Sequence, residues 1–351
     1  MPRTWRSRAA KVVLSCAVTT AMAIPVVAHA AAHCITSPHQ PPFSIGWANI
    51  YSVPTWMKQT TGTIDSEVAE LKKQGLVSKL MITDAQGSAN TQIQQIQSMI
   101  DAHMDAILVD AGSATALDRV ISAACAKGIA VVSFDSLVDT DDLTAKIIVD
   151  SKAWGSEAAT WMAKTLGGKG NILVLNGPAG ISVSEDRRAG AMEVLKNYSD
   201  IKVLAETNTP YNAAPAQEAV TNLLFRYPKI DGVLSLGGAL SAGALLAFER
   251  QGRAPVPMTG ENYRQFLELW KKEGIKGWAA MQPNWLGAMA AYVAVQALQG
   301  KDVPLHVGVP LPIITDADLG SYLARAKDFP ADGYIYSPYS QAIFQKYIDG
   351  K

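Results

Sequence analysis

The sequence predicts an α/β protein of two lobes, each a parallel sheet with helices on both faces. Three observations lead there. From residue 44 onward, short β-branched or apolar runs alternate with amphipathic helical stretches, the pattern that builds parallel sheets. Runs such as Ala130-Val-Val-Ser-Phe134 are almost continuously apolar, as strands buried on both faces must be. Ten such runs in 351 residues are more than one core of average size holds, and about 150 residues per domain is the usual scale.

In order, the strands are read at 44–48, 79–83, 106–109, 130–134, 147–149, 172–175, 201–205, 232–236, 256–259 and 278–281. Helical patterns fall between them at 91–102, 114–127, 154–166, 184–197, 214–225 and 240–251. No long Gly/Ser- or Pro-rich linker separates the halves, so each lobe is expected to be discontinuous, with crossings near 147–150, 282–284 and 307–312. The first lobe is then 43–150 plus 284–306, and the second 151–281 plus 307–316. A tail, 31–42, precedes them. An extension, 317–351, follows, with the aromatic run Gly333-Tyr-Ile-Tyr-Ser-Pro-Tyr339 and a terminal helical pattern; no sequence rule places it.

Residues 1–30 read as a secretory signal peptide. Arg3, Arg6, Arg8 and Lys11 precede an apolar stretch, and Ala28-His29-Ala30 offers small residues for cleavage after Ala30. An uncleaved anchor is disfavoured by Pro25 and by a run shorter than the roughly 20 residues a spanning helix needs. The whole chain balances 31 basic against 31 acidic residues, but the leader holds four of the basic ones, so the mature chain carries −4. That excludes a strongly basic nucleic-acid surface. Cys34 and Cys125 remain after cleavage. They are able to pair in an oxidising compartment, but a buried Cys125 and a loose Cys34 are the favoured expectation. Cys34 lacks the Leu at −3 of a lipidation site.

Catalytic motifs are sparse. The five histidines have no metal-ligand spacing, and there is no G-x-S-x-G elbow or Walker sequence. A phosphate at Pro178-Ala-Gly180 would meet Glu185 and Asp186. The loops after the strands' carboxyl ends, where open α/β sheets bind ligands, instead collect amides, carboxylates, hydroxyls, a few aromatics and Arg187. Neutral polyhydroxy ligands need that mixture: planar polar groups for adjacent hydroxyls, aromatic faces for C–H surfaces.

Four segments carry a resemblance: Asn49-Ile-Tyr-Ser-Val-Pro-Thr-Trp56, Asp101-Ala-His-Met-Asp-Ala-Ile-Leu-Val109, Lys127-Gly-Ile-Ala-Val-Val-Ser-Phe-Asp135 and Leu175-Asn-Gly-Pro-Ala-Gly-Ile-Ser-Val-Ser-Glu-Asp-Arg187. In that order, from Phe43 to about Pro312, the chain resembles the ribose/galactose-type periplasmic sugar-binding proteins of ABC importers. The resemblance implies the type I periplasmic binding protein fold, two Rossmann-like lobes joined by a three-crossover hinge. It also implies that Asn49 bonds ligand hydroxyls, Trp56 stacks on the ring, Asp135 accepts from two hydroxyls and Arg187 donates to oxygens. Tyr211 stands for an aromatic of the second lobe, Glu261 for a carboxylate, with Asn262 the alternative register, and Gln282 for a hinge-side amide. Tyr51, Ser136, Asn212 and Gly237 are secondary candidates. Where the family usually has Asn-Asp, this chain has Gly237-Gly238, which admits a bulkier or less hydroxylated ligand.

Each assignment has a plainer counterpart. Trp56 would serve as core, Asp135 as a turn residue, and Arg187 as a surface partner of Glu185 or Asp186. The implied function is a periplasmic, monomeric solute-binding protein without cofactor, metal, nucleic acid or catalysis. It would capture a neutral sugar or sugar alcohol between its lobes and deliver it to ABC permease subunits. The alternatives are a sensory sugar-binding protein and a secreted glycoside hydrolase using Asp135 and Glu261. A sugar-responsive repressor would need a DNA-binding helix-turn-helix where this chain has its leader.

Overall fold

The computed structural model describes Met1, residues 34–52 and residues 55–351. Apart from Met1, the expected signal peptide lies outside the described residues. The chain runs β1 (Phe43–Asn49), α1 (Thr55–Lys73), β2 (Val77–Asp84), α2 (Ala89–Asp101), β3 (Ala106–Val109), α3 (Asp118–Ala126), β4 (Ala130–Phe134) and β5 (Ala145–Val149). It continues as α4 (Ser151–Thr165), β6 (Lys169–Asn176), α5 (Ser182–Leu195), β7 (Asp200–Asn208), α6 (Ala213–Arg226), β8 (Gly232–Ser235), α7 (Gly238–Arg250), β9 (Met258–Glu261), α8 (Arg264–Glu273) and β10 (Gly277–Ala280). It closes with α9 (Leu286–Leu298), β11 (His306–Val309), β12 (Ile313–Ile314), α10 (Leu319–Leu323) and α11 (Gln341–Ile348).

Two six-stranded sheets result, in the orders β11-β5-β4-β3-β1-β2 and β12-β10-β9-β8-β6-β7. Every pairing is parallel except β10 with β12. The ten strands read from the sequence are all present. Central strands are the apolar runs expected of a doubly covered sheet: every residue of β3 and β4 is buried. Side-chain caps open α2, α4, α6 and α11. Asp150 accepts from Ala153 N–H at 2.7 Å to open α4, and Asn212 accepts from Ala214 N–H at 3.0 Å to open α6.

One boundary is corrected. Residues 307–309 were assigned to the second lobe, yet β11 pairs in parallel with β5 in the first sheet. Only Ile313–Ile314 joins the second. As an edge strand, β11 alternates exposed and buried residues, so it lacks the continuous apolar run that marked its neighbours. The crossing falls on Pro310-Leu311-Pro312.

The cysteines are a second correction, for Cys34 and Cys125 form a disulfide across 91 residues. The tail folds back on the first lobe, His39 N–H donating to Leu298 O at 2.8 Å, and Cys34 is 2% exposed. Replacing both cysteines by serine is expected to lower stability by about 4.6 kcal/mol, the chain-entropy value for such a loop. Guanidinium denaturation with and without reductant measures it; coincident curves would show the clip to be energetically idle.

The extension forms a fourth connection between the lobes. Helix α10 packs on α8, in the second lobe, and α11 on α9, in the first. Between them, Ile335 N–H donates to Asn262 O at 2.8 Å, and Tyr334 exchanges two hydrogen bonds with Gln59 of α1 at 2.7 and 3.1 Å. Thr55 Oγ1 donates to Asp332 Oδ2 at 2.7 Å.

Candidate functional site

Residues from the carboxyl ends of β1, β3, β4, β6, β7, β9 and β10 line a cavity of about 350 Å3 between the sheets. That volume lies at the small end of the roughly 300–1,000 Å3 typical of small-molecule sites. At its floor runs a connected polar chain. Asp135 Oδ1 accepts from Gln282 Nε2 at 2.5 Å, and Gln282 Oε1 accepts from Arg187 Nη2 at 3.3 Å. Arg187 Nη1 pairs with Glu261 Oε1 at 2.5 Å and donates to Leu236 O at 2.9 Å. The first lobe, the hinge and the second lobe are thus joined by four side chains in series.

Local structure explains why each is there. Asp135 follows β4 in the left-handed region, φ 57°, which Asp tolerates better than most residues, and the turn aims its carboxylate across the cleft. Arg187 rides on α5, whose backbone meets that of α4 closely: a Cβ on Gly155 would collide with the carbonyl of Arg187, and one on Gly190 with that of Lys152. The guanidinium sits 4.6 Å from the ring centroid of Trp154 and is 1% exposed. The surface-pair reading of Arg187 therefore fails; Arg188 takes that role with Glu206. Glu261 is held by the Gly238 N–H, which donates to its Oε2 at 3.1 Å.

Burial raises the Asp135 carboxyl to about 6, with Gln282 and Arg187 opposing and Glu261 adding to the rise. Asp110, at the end of β3, is pushed well above the ordinary range by burial and then by the Asp135 charge. Its Oδ1 accepts from Ser136 N–H at 3.2 Å while its Oδ2 has no partner. Arg187 Nε is likewise buried without one.

Of the residues expected from the sequence, Trp56, Asp135, Arg187, Tyr211, Glu261 and Gln282 line the cavity, with Tyr51 and Ser136 from the secondary group. Trp56 is tied down, its Nε1 donating to Gln282 O at 3.2 Å. Four expected residues fall outside the lining. Asn49 Oδ1 accepts from Tyr51 N–H at 3.2 Å, closing its own turn. Asn212 is spent as the α6 cap. Asn262 donates through Nδ2 to Ile335 O at 3.1 Å and accepts from Gln282 N–H at 3.2 Å, so the extension and hinge consume its amide. Gly237 contributes space: a Cβ there would stand 2.7 Å from the Tyr211 ring. Gly177 flanks the other side of that ring, whose hydroxyl is 3.0 Å from Ser184 Oγ.

Sequence reasoning passed over Asp110 and Tyr334. Asp110 ends a strand adjacent to β1 and β4 and was legible by position. Tyr334 reaches the cavity from the extension, whose docking no local pattern signals. Among the described residues no cluster of His, Cys, Asp and Glu is arranged to hold a metal.

Two parallel α/β lobes, discontinuous in sequence and enclosing a polar-floored cleft, define a bilobal binding protein for small solutes. The chain belongs to the periplasmic binding protein domain family, whose model matches residues 45–302. It is 32% identical over 240 residues to the xylitol-binding protein of Mycolicibacterium smegmatis, covering 68% of each chain. It is 25% identical over 248 residues to the ribose import binding protein of Bacillus subtilis, covering 70% of this chain and 79% of that one. Among solved structures it is similar to an ABC transporter solute binding protein from Thermobispora bispora, with TM-score 0.82 and 26% identity over 88% of this chain and 95% of that one.

Proposed function

We propose that the protein captures one neutral sugar or sugar alcohol between its lobes, as an exported monomer, and hands it to the permease of an ABC importer without changing it. The observation that carries this is the Asp135–Gln282–Arg187–Glu261 chain at the floor of the cleft. It presents carboxylate, amide and guanidinium edges to one small volume, with Trp56, Tyr211 and Tyr334 rings around it. The xylitol- and ribose-binding relatives are in keeping with such a ligand. Closure is marked by Leu137 N–H, from the first lobe, donating to Ser182 Oγ of α5 at 2.9 Å. Shutting the lobes on a ligand completes its hydrogen bonds and excludes water, and a permease then reads the closed shape. A hydrolase is disfavoured because both Glu261 oxygens are already engaged, Oε1 by Arg187 and Oε2 by the Gly238 N–H.

A thermal-shift screen of residues 31–351 against pentoses, hexoses, polyols and small furanones tests the reading. Ligand at a hundred times its Kd stabilises by about 2.7 kcal/mol, a midpoint rise of several degrees. A panel without any shift would remove the claim.

Binding should also depend on pH through Asp135. Ionised above about 6, the carboxylate accepts from ligand hydroxyls in charge-assisted bonds; protonated below, it has one O–H donor and only weaker acceptors. Affinity is therefore expected to be flat above pH 7 and to fall below pH 6, by at most about tenfold per unit. Calorimetry between pH 4.5 and 8 reads it. The slope should vanish in Asp135→Asn; a slope that persists there would assign the titration to another group.

A further inference from the structure

The cleft is polar at its floor and apolar at its mouth, and this division bears on the chemistry of the ligand. Arg187, Glu261, Gln282 and Asp110 are all at most 4% exposed; Arg187 is bonded to Gln282 and paired with Glu261, and Asp110 accepts from the Ser136 N–H. Toward solvent the lining changes to Tyr51, Pro178, Ile181 and Pro210, while the apolar Met57 and Val183 that also line it are buried. Pro178, Ile181 and Tyr51 are half-buried and Pro210 is exposed. Both lobes contribute, Tyr51 from the first and Pro178, Ile181 and Pro210 from the second. Asn208 and Thr209 are the polar exceptions.

Gly237 and Gly238 sharpen the division. They offer no side-chain donor or acceptor, the Gly238 N–H is taken by Glu261, and the space beside Gly237 is filled by the Tyr211 ring. These glycines stand behind the lining, so a fully hydroxylated ligand would press some of its hydroxyls against the Tyr211 ring and the apolar residues of the mouth. Each hydroxyl stripped of water without a partner costs about tenfold in affinity. An apolar substituent in the same place gains affinity instead, about fourfold for each methylene buried.

We infer that the ligand is amphiphilic, a hydroxylated head on the floor chain with a deoxy, alkyl or aryl arm lying against the apolar mouth. This rests on the carbohydrate or polyol reading and narrows it. The rival explanation is that the apolar mouth merely seals one lobe against the other, in which case an arm brings nothing.

Titration calorimetry on residues 31–351 separates the two. The probes are xylose, ribose and arabinose, each against its methyl and phenyl glycosides, together with 6-deoxyhexoses against the pentoses of matching configuration. At least one arm-bearing compound is expected to bind ten times more tightly than its parent, with a more negative heat-capacity change. Ile181→Ser should shrink that ratio toward one. Parents that bind as tightly as, or more tightly than, every derivative would overturn the inference while leaving the carbohydrate reading intact. If neither series binds, both fall together.

Discussion

Arg187→Ala should abolish measurable ligand binding and also destabilise the empty protein by about 3–5 kcal/mol, the usual cost of breaking a buried ion pair by removing one partner. Arg187 and Glu261 side chains are 1% and 5% exposed, so truncation strands a carboxylate away from water, with only the Gly238 N–H holding its Oε2. The Leu236 carbonyl and Gln282 Oε1 lose their donors as well. Arg187→Ala combined with Glu261→Gln removes the stranded charge and should recover much of the stability. It should not recover binding, because the guanidinium fork is still gone. Guanidinium denaturation and calorimetry on the three proteins read both effects. Normal stability in Arg187→Ala would mean that water reaches Glu261 and that the floor is not as closed as described.

Deleting the extension after Asp328 is expected to cost still more. Phe344 is fully buried, with its ring centroid 5.8 Å from that of Trp285, 5.9 Å from Tyr292 and 5.7 Å from Tyr339. Emptying that site alone, as Phe344→Ala, should cost about 3–5 kcal/mol. Truncation adds the loss of Ile335 and Tyr334, both buried, and leaves the Asn262 amide without its backbone partner. Trp285, 3% exposed in the intact chain, should then show red-shifted fluorescence. An extension that can be removed without changing the denaturation midpoint would be a passive appendage, and Tyr334 would then have no fixed place in the cleft.

The contrast between these two regions explains what was legible. Strands such as β3 and β4 announce themselves because burial on both faces demands unbroken apolar runs. Helix α9 is just as buried along its whole length, but for a helix that erases the polar face by which periodicity is read, and it was passed over. The edge strand β11 failed for the reverse reason, being too exposed. In the cleft, carboxylates and the arginine were found because strand-end loops concentrate them. Amides were less reliable: Asn49, Asn212 and Asn262 stand in those same loops, and backbone groups consume all three. Side-chain type alone does not say whether an amide faces a ligand or its own turn. Tyr334, 52 residues from the next cleft residue, Gln282, but one step from Gln59 in space, lay beyond any local rule.

The most direct test of the account is a crystal structure of residues 31–351 with the compound that gives the largest thermal shift. One molecule is expected in the interlobe cavity, its hydroxyls within hydrogen-bond distance of Asp135 and Arg187 and its least polar end toward Ile181 and Pro210. A ligand bound outside that cavity, or bound within it without touching Asp135 or Arg187, would contradict it.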